Sequence, residues 1–344
     1  MKFSPLGKTG LRIPQIVFGT SCLGNLYQAI PDDAKLGITR EWFNHHAPPV
    51  VIDTAGKYGA GLALEVIGRN LRELEISPNQ IVISNKLGWK RVTLSASEPT
   101  FEPGAWVNLH HDAVQCISYD GILECWEQGC KLLGPEYPPQ LLSVHDPDEY
   151  LAASTTDADR AKRFADILDA YQALSELKAA GKTMAIGVGS KDWRVIERIA
   201  RRVELDWVML ANSLTVYRHP EALIAFVEDL ASRGIAIINS AVFHAGFLVG
   251  GKFFDYSVVT RDQESELYAW REEFHTLCEI HRIQPSAACI QFALTPPGVL
   301  AISLNSSVPS RVGYNVAAVK TAIPANFWQD AKKAGLISNE YPYV

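Results

Sequence analysis

The chain has 344 residues, of which 47% are hydrophobic and 20% charged, with a formal net charge of −6. That balance suits a protein with a large buried core and argues against a nucleic-acid or anionic-membrane surface. Six cysteines without a Cys-x-x-Cys pair (Cys22, Cys116, Cys125, Cys130, Cys278, Cys289) exclude a disulfide scaffold and read as reduced thiols. No apolar leader follows Met1, and no apolar stretch approaches the ~18 residues of a membrane span, so a cytoplasmic enzyme is expected.

Residues 1–15 read as a β-hairpin: Lys2-Phe3-Ser4 and Leu11-Arg12-Ile13 flank the turn-rich tip Gly7-Lys8-Thr9-Gly10. Eight short apolar runs follow as strands, at Ile16–Gly19, Val50–Asp53, Ile81–Asn85, Gln140–Val144, Thr183–Val188, Trp207–Ala211, Ala236–Asn239 and Val299–Ser303. They lack strict alternation, as strands buried on both faces of a parallel sheet do. Helical patterns lie between them. In Ala161–Ala180, Phe164, Ile167, Leu168, Tyr171, Leu174 and Leu177 recur at three- and four-residue steps, and Gly181 follows as a stop. Similar patterns run over 61–71, 193–203, 220–232 and 263–282. Eight strands each followed by a helix predict one (β/α)8 barrel domain over 1–344, with no Gly-x-Gly-x-x-Gly to favour a doubly wound sheet. Two long loops break the rhythm, 88–120 after the third strand and 243–261 after the seventh. Both are rich in aromatics and are expected to cover a substrate.

Chemistry gathers at consecutive strand ends. Val51-Ile52-Asp53-Thr54-Ala55-Gly56-Lys57-Tyr58-Gly59 delivers a carboxylate and a phenol, the next strand ends at Lys86, and the one after ends at His145. A helix cap would also explain Asp53. However, a lysine closing a buried strand needs a partner, and Asp53 is the natural one. The histidine pairs His45-His46 and His110-His111 lack a carboxylate or cysteine framework; they read as surface or loop residues, with no metal site.

These residues resemble the aldo-keto reductases, whose pattern Asp-x-Ala-x-x-Tyr-Gly with a downstream Glu, then Lys, then His, is matched by Asp53, Ala55, Tyr58, Gly59, Glu65, Lys86 and His145. The resemblance implies hydride exchange with a nicotinamide. Tyr58 would be the acid/base, Lys86 and Asp53 would tune it, and His145 would orient the substrate oxygen. It places the nucleotide across the strand ends, with contacts from Gly19, Thr20, Asp53, Ser190, Asn239, Ser240, Ala241, Val242, Gly246, Leu248, Asn305, Ser306, Arg311 and Asn315. Members using NADP commonly carry Lys-Ser where this chain has Asn305-Ser306, so NAD is favoured, with NADP possible through Arg311. Asn239 stands where many members place a tyrosine, and Gly189-Ser190 replaces a Ser-Asn pair.

Three segments, 117–121, 144–148 and 187–193, resemble the branch of sugar 1-dehydrogenases acting on L-fucose, L-galactose and D-threo-aldoses. That implies oxidation of a cyclic hemiacetal to a lactone. Trp89, Trp106, Asp120 and Trp193 fit a sugar face, and Tyr58 and His145 meet the reacting oxygen. Pyridoxal or another small carbonyl compound would suit the same chemistry. A Schiff-base aldolase is the rival from another class, but Asp53 would hold Lys86 as an ion pair. A cofactor-sensing regulatory partner is the other. No nucleic-acid or membrane partner is expected.

Overall fold

The computed structural model describes residues 1–344. A hairpin of β1 (Phe3–Pro5) and β2 (Arg12–Pro14) precedes β3 (Ile16–Gly19), β4 (Val50–Ala55) and β5 (Ile81–Leu87). A second hairpin of β6 (Trp89–Thr93) and β7 (His111–Gln115) comes next, then β8 (Leu141–His145), β9 (Ala185–Ser190), β10 (Trp207–Ala211) and β11 (Ala236–Ser240). A small ribbon of β12 (Phe253–Phe254) and β13 (Ser257–Val258) precedes β14 (Val299–Leu304). Strands β3, β4, β5, β8, β9, β10, β11 and β14 close into one parallel barrel in that order. All eight apolar runs of the sequence are its staves. Parallel strands need crossovers, and helices supply them.

The helices are α1 (Asp32–His45), α2 (Leu62–Glu73), α3 (Tyr119–Leu133), α4 (Pro147–Ala152), α5 (Asp157–Ala179), α6 (Trp193–Ala200), α7 (Glu221–Ser232), α8 (Ser265–His281), α9 (Pro285–Ala293), α10 (Ser310–Val319) and α11 (Ala325–Lys333). In α5 the periodic set Phe164, Ile167, Tyr171, Leu174 and Leu177 is buried. Thr156 caps that helix by accepting from the Asp159 N–H at 3.1 Å. No helix is long and apolar enough to cross a membrane.

The barrel interior is a packed plug of Val17, Val51, Val82, Leu141, Ala185, Trp207, Met209, Ile238 and Ala301, joined by Leu6 and Ile13 of the first hairpin. That hairpin therefore seals the end of the barrel away from the strand C-termini. Trp207 fills the middle of the plug because Gly187 has no side chain: a Cβ there would lie 2.4 Å from the indole. Larger clusters fill the space between barrel and helices.

Three expectations need correction. The fifth stave runs over Ala185–Ser190, not 183–188, since Thr183 is spent on the Gln140 carbonyl at 2.8 Å and Met184 lies exposed. Residues 88–120 are not a plain loop but an antiparallel hairpin, Trp89 paired with Gln115 and Thr93 with His111. His111 is neither a loop nor a surface residue but lies half-buried on β7, whereas His46 is in the loop after α1 as expected, though buried there, 5.6 Å from the Phe3 ring and edge-on to Phe18.

Candidate active site

Four side chains meet at the strand C-termini. Asp53 on β4, Lys86 on β5 and His145 on β8 are 2%, 3% and 4% exposed, and Tyr58 lies in the turn after β4. Parallel pairing sets the first three side by side: Ala55 stands opposite Lys86, and Lys86 opposite Ser143. The carboxylate of Asp53 accepts from Lys86 Nζ on one oxygen and from Ser84 Oγ at 3.0 Å on the other. It is not a helix cap, for α2 begins after Gly61 with no side-chain cap. The Lys86 ammonium sits 4.7 Å from the centre of the Tyr58 ring, and the His145 ring meets that phenol edge-on at 5.5 Å.

Close backbone packing fixes the Tyr58 turn. Gly24, in a short 3-10 turn after β3, lies against it so tightly that a Cβ would come 2.6 Å from the Tyr58 carbonyl carbon. Gly59 answers from the other side with φ +63, a left-handed conformation that glycine adopts without strain.

Burial, reinforced by the Asp53 and Asp146 carboxylates, pushes the Tyr58 phenol well above its ordinary range, although Lys57 pulls the other way. Burial, reinforced by the Lys86 and Lys57 ammonium groups, holds His145 well below the ordinary histidine range. The resting site thus pairs a protonated phenol with a neutral imidazole, which gives one transferable proton beside an uncharged ring that carries one N–H donor.

A cavity of about 650 Å³ opens in front of them. Tyr58, Lys86 and His145 line its floor, and Ser21, Ser190, Met209, Ala211 and Ser240 line the wall along the strand ends. Its roof comes from three segments that touch one another. Tyr27 stacks on Phe253 at 4.7 Å and donates to the Tyr256 carbonyl at 3.3 Å, while Leu26 bridges to Trp106 in the β6–β7 insertion. Trp106 Nε1 in turn donates to Glu102 at 2.7 Å.

Other residues singled out in the sequence fall less uniformly. Trp106 lines the cavity, but Trp89 stands behind Lys57 and packs on Phe101 at 5.8 Å. Asp120 is exposed in the first turn of α3, away from the cavity, and Trp193 is buried against Phe226. Asn239 turns outward between barrel and helices, where its amide donates to the Leu214 carbonyl at 2.8 Å and sits 3.4 Å from that of Ala293. Ser240, the next residue, takes the inward place. Val242 and Leu248 are core residues, and Gly246 (φ +97) and Ala241 (φ +54) shape the loop after β11. Thr20 is buried, donating to the Asp53 carbonyl at 2.9 Å.

At the far end of the strand edge, Asn305 donates to Ser21 Oγ at 2.8 Å and packs against Gly19, where a Cβ would be 3.3 Å away. Ser306 accepts the Cys22 thiol on its carbonyl at 3.1 Å; Arg311 is exposed in the first turn of α10, and Asn315 lies one turn on. The cavity wall of hydroxyls and a helix N-terminus beyond it suit a long polar ligand with an anionic centre. Asn212 Oδ1 and Ser213 Oγ, buried without partners after β10, are further polar atoms at this edge.

Lys57, Glu102, Asp146 and Lys191 also line the cavity, and none was singled out from the sequence. The signal available was weak: Lys57 sits inside the motif, but the carboxylates it meets, Glu102, Asp146 and Glu149, come from distant parts of the chain.

Residues 15–335 match the Aldo/keto reductase family. The chain is 30% identical to pyridoxal 4-dehydrogenase of Microbacterium luteolum over 97% of each chain. It is 26% identical to D-threo-aldose 1-dehydrogenase of a Pseudomonas species, over 95% of this chain and 96% of that one. An aldo-keto reductase of Bacillus halodurans in its holo form superposes with a TM-score of 0.70 at 19% identity over 99% of each chain, a likeness of fold.

Proposed function

The chain belongs to the aldo/keto reductase family, and from that premise we propose that it oxidises the hemiacetal carbon of a small cyclic hemiacetal to a lactone. A nicotinamide dinucleotide bound along Ser21, Ser190, Ser240 and the start of α10 would supply the hydride acceptor. The chain's own residues handle the proton and the substrate oxygen. Tyr58 exchanges the hydroxyl proton, and the neutral imidazole of His145 donates a hydrogen bond to the same oxygen. Lys86, held by Asp53, lends positive charge beneath the phenol ring without touching the reacting atoms.

The observation that carries this reading is the convergence of Tyr58 and His145 on one cavity whose roof is aromatic: Tyr27, Trp106, Phe253 and Tyr256. Flat apolar walls grip a ring by its face. Pyridoxal, whose hemiacetal is fused to an aromatic ring, fits such walls, and likeness to a pyridoxal dehydrogenase over nearly the whole chain supports it. An aldose with an apolar ring face is the second reading, supported by the likeness to an aldose dehydrogenase. For the nucleotide we propose NAD, because Asn305 is uncharged and engaged with Ser21.

Initial rates with NAD and NADP against pyridoxal, L-fucose, D-arabinose and L-galactose, with the lactone identified by mass, test this reading. Lactone formation from one of these ring compounds is expected, faster with NAD. The absence of nucleotide-linked turnover with all of them would overturn the proposal. An NADP dissociation constant tenfold below that for NAD would overturn the cofactor assignment alone.

A further inference from the structure

Lys57 precedes the catalytic tyrosine, yet its side chain is only 4% exposed. Its Nζ lies 2.7 Å from Glu102, 2.7 Å from Glu149 and 3.4 Å from Asp146 Oδ2. These carboxylates come from two places: Glu102 from the β6–β7 insertion, and Asp146 and Glu149 from the N-cap and first turn of α4, directly after His145. Burial by itself would release the proton of Lys57, but Asp146, Glu102 and Glu149 together overcome it and raise the ammonium above the ordinary lysine range.

The oxygen of Asp146 that faces Lys57 also faces His145, at 3.6 Å from Nε2. The backbone holds it there with φ +46, a conformation uncommon for a residue other than glycine. A carboxylate that close to an imidazole favours the imidazolium. On the barrel side, the charges near His145 are Lys86, whose ammonium also opposes the imidazolium, and Asp53 paired with it, with the uncharged Tyr58 edge-on. Toward the roof they are Asp146, Glu149, Lys57 and Lys191, the last bonded to the free oxygen of Glu149, with Glu102 behind Lys57. On that side three carboxylates face two ammonium groups. Without Lys57 they would face one.

We propose that Lys57 is a positioning residue for His145: by engaging the carboxylates of Asp146, Glu149 and Glu102 it keeps the imidazole neutral, so that Tyr58 alone carries the transferable proton. Its consequence for turnover rests on the hydride-transfer reading above. The charge state of His145 itself can be read without turnover.

The test compares the full-length parent with Lys57→Met, Lys57→Arg and Lys57→Met/Glu149→Gln, each labelled with ¹³C in the histidine rings. Of the nine histidines, the His145 resonance is the one lost in His145→Asn. In the parent and in Lys57→Arg it should stay in its neutral position from about pH 5 to pH 8, against a model value near 6.5. In Lys57→Met its titration should move upward by at least one unit, a tenfold gain in proton affinity. The double variant should move part or all of the way back, a rescue that a purely structural role for Lys57 would not produce. Should Lys57→Met fail to fold, Lys57→Gln replaces it with the same expected shift. A His145 titration unchanged by loss of the ammonium, or unmoved by the added Glu149→Gln, would overturn the proposal. With an active enzyme, the acidic limb of kcat/KM should follow the same shift. A protein with no nucleotide-linked turnover would sink the functional reading and leave the histidine titration to decide the role of Lys57.

Discussion

Replacing Tyr58 with phenylalanine removes one oxygen and preserves the other contacts of the ring. The edge-on contact with His145 at 5.5 Å and the Lys86 ammonium at 4.7 Å depend on the ring alone. The Gly24–Tyr58 packing depends on backbone. The fold should therefore lose less than about 1 kcal/mol, the usual net worth of one polar contact. Chemistry should suffer far more. Proton transfer by a placed side chain is worth ~10²–10⁴ in rate, and each factor of ten is about 1.4 kcal/mol, so the barrier should rise by about 3–5 kcal/mol. Nucleotide affinity should stay within about twofold, since none of that term passes through the phenol oxygen. The assay is the initial rate of nicotinamide reduction at saturating substrate, with nucleotide binding followed by quenching of protein fluorescence and stability by urea denaturation. A Tyr58→Phe enzyme keeping more than about a tenth of the parent kcat would show that the proton travels by another route. Loss of nucleotide binding together with activity would mean that the phenol shapes the pocket and does not act as the acid/base.

Other outcomes follow from the same geometry. The phenol is pushed well above its ordinary range by burial and nearby carboxylates. Carbonyl reduction, which needs the proton present below that raised value, should stay flat through alkaline pH. Alcohol oxidation, which needs the proton gone, should keep rising; an oxidation rate that levels off near neutrality would contradict this. Asp53→Asn leaves the buried Lys86 ammonium without its carboxylate partner, beside the Tyr58 ring, and should cost about 3–5 kcal/mol in urea denaturation. A loss under about 1 kcal/mol would mean the pair does not hold the strand ends. Gly24→Ala drives a Cβ to 2.6 Å from the Tyr58 backbone and should lower kcat/KM about tenfold or more by shifting the phenol, since small displacements are costly in rate. An alanine enzyme with parent activity would show that the turn can yield. In Gly187→Ala the new methyl meets the Trp207 ring at 2.4 Å; overpacking of about 1–3 kcal/mol should appear as a lower thermal midpoint with kinetics preserved.

The sequence by itself determined the barrel and its four central side chains. Staves buried on both faces are unbroken apolar runs, so all eight could be seen without any partner strand. Asp53, Lys86 and His145 stand near the ends of three of them, with Tyr58 in the turn after the first, and neighbouring staves must bring their ends together. What the tertiary structure decided is everything that depends on which face a residue takes or on which distant loop comes to meet it. Asn239 faces outward and Ser240 inward because side chains alternate along β11, with Ala236 and Ile238 inside the barrel and Ile237 outside; which of the two phases faces the cavity is settled only when the barrel closes. Trp89 and Asp120 lie in the segment expected to cover the site. The pairing of β6 with β7 and the start of α3 carry them away from the cavity, while Glu102 and Trp106 are carried over it. Lys57 was visible beside Tyr58 from the outset, but its place among Glu102, Asp146 and Glu149 has no periodicity or spacing to announce it. That cluster exists only because two chain segments, one 45 residues away in sequence and the other 89 to 92, are folded onto one ammonium.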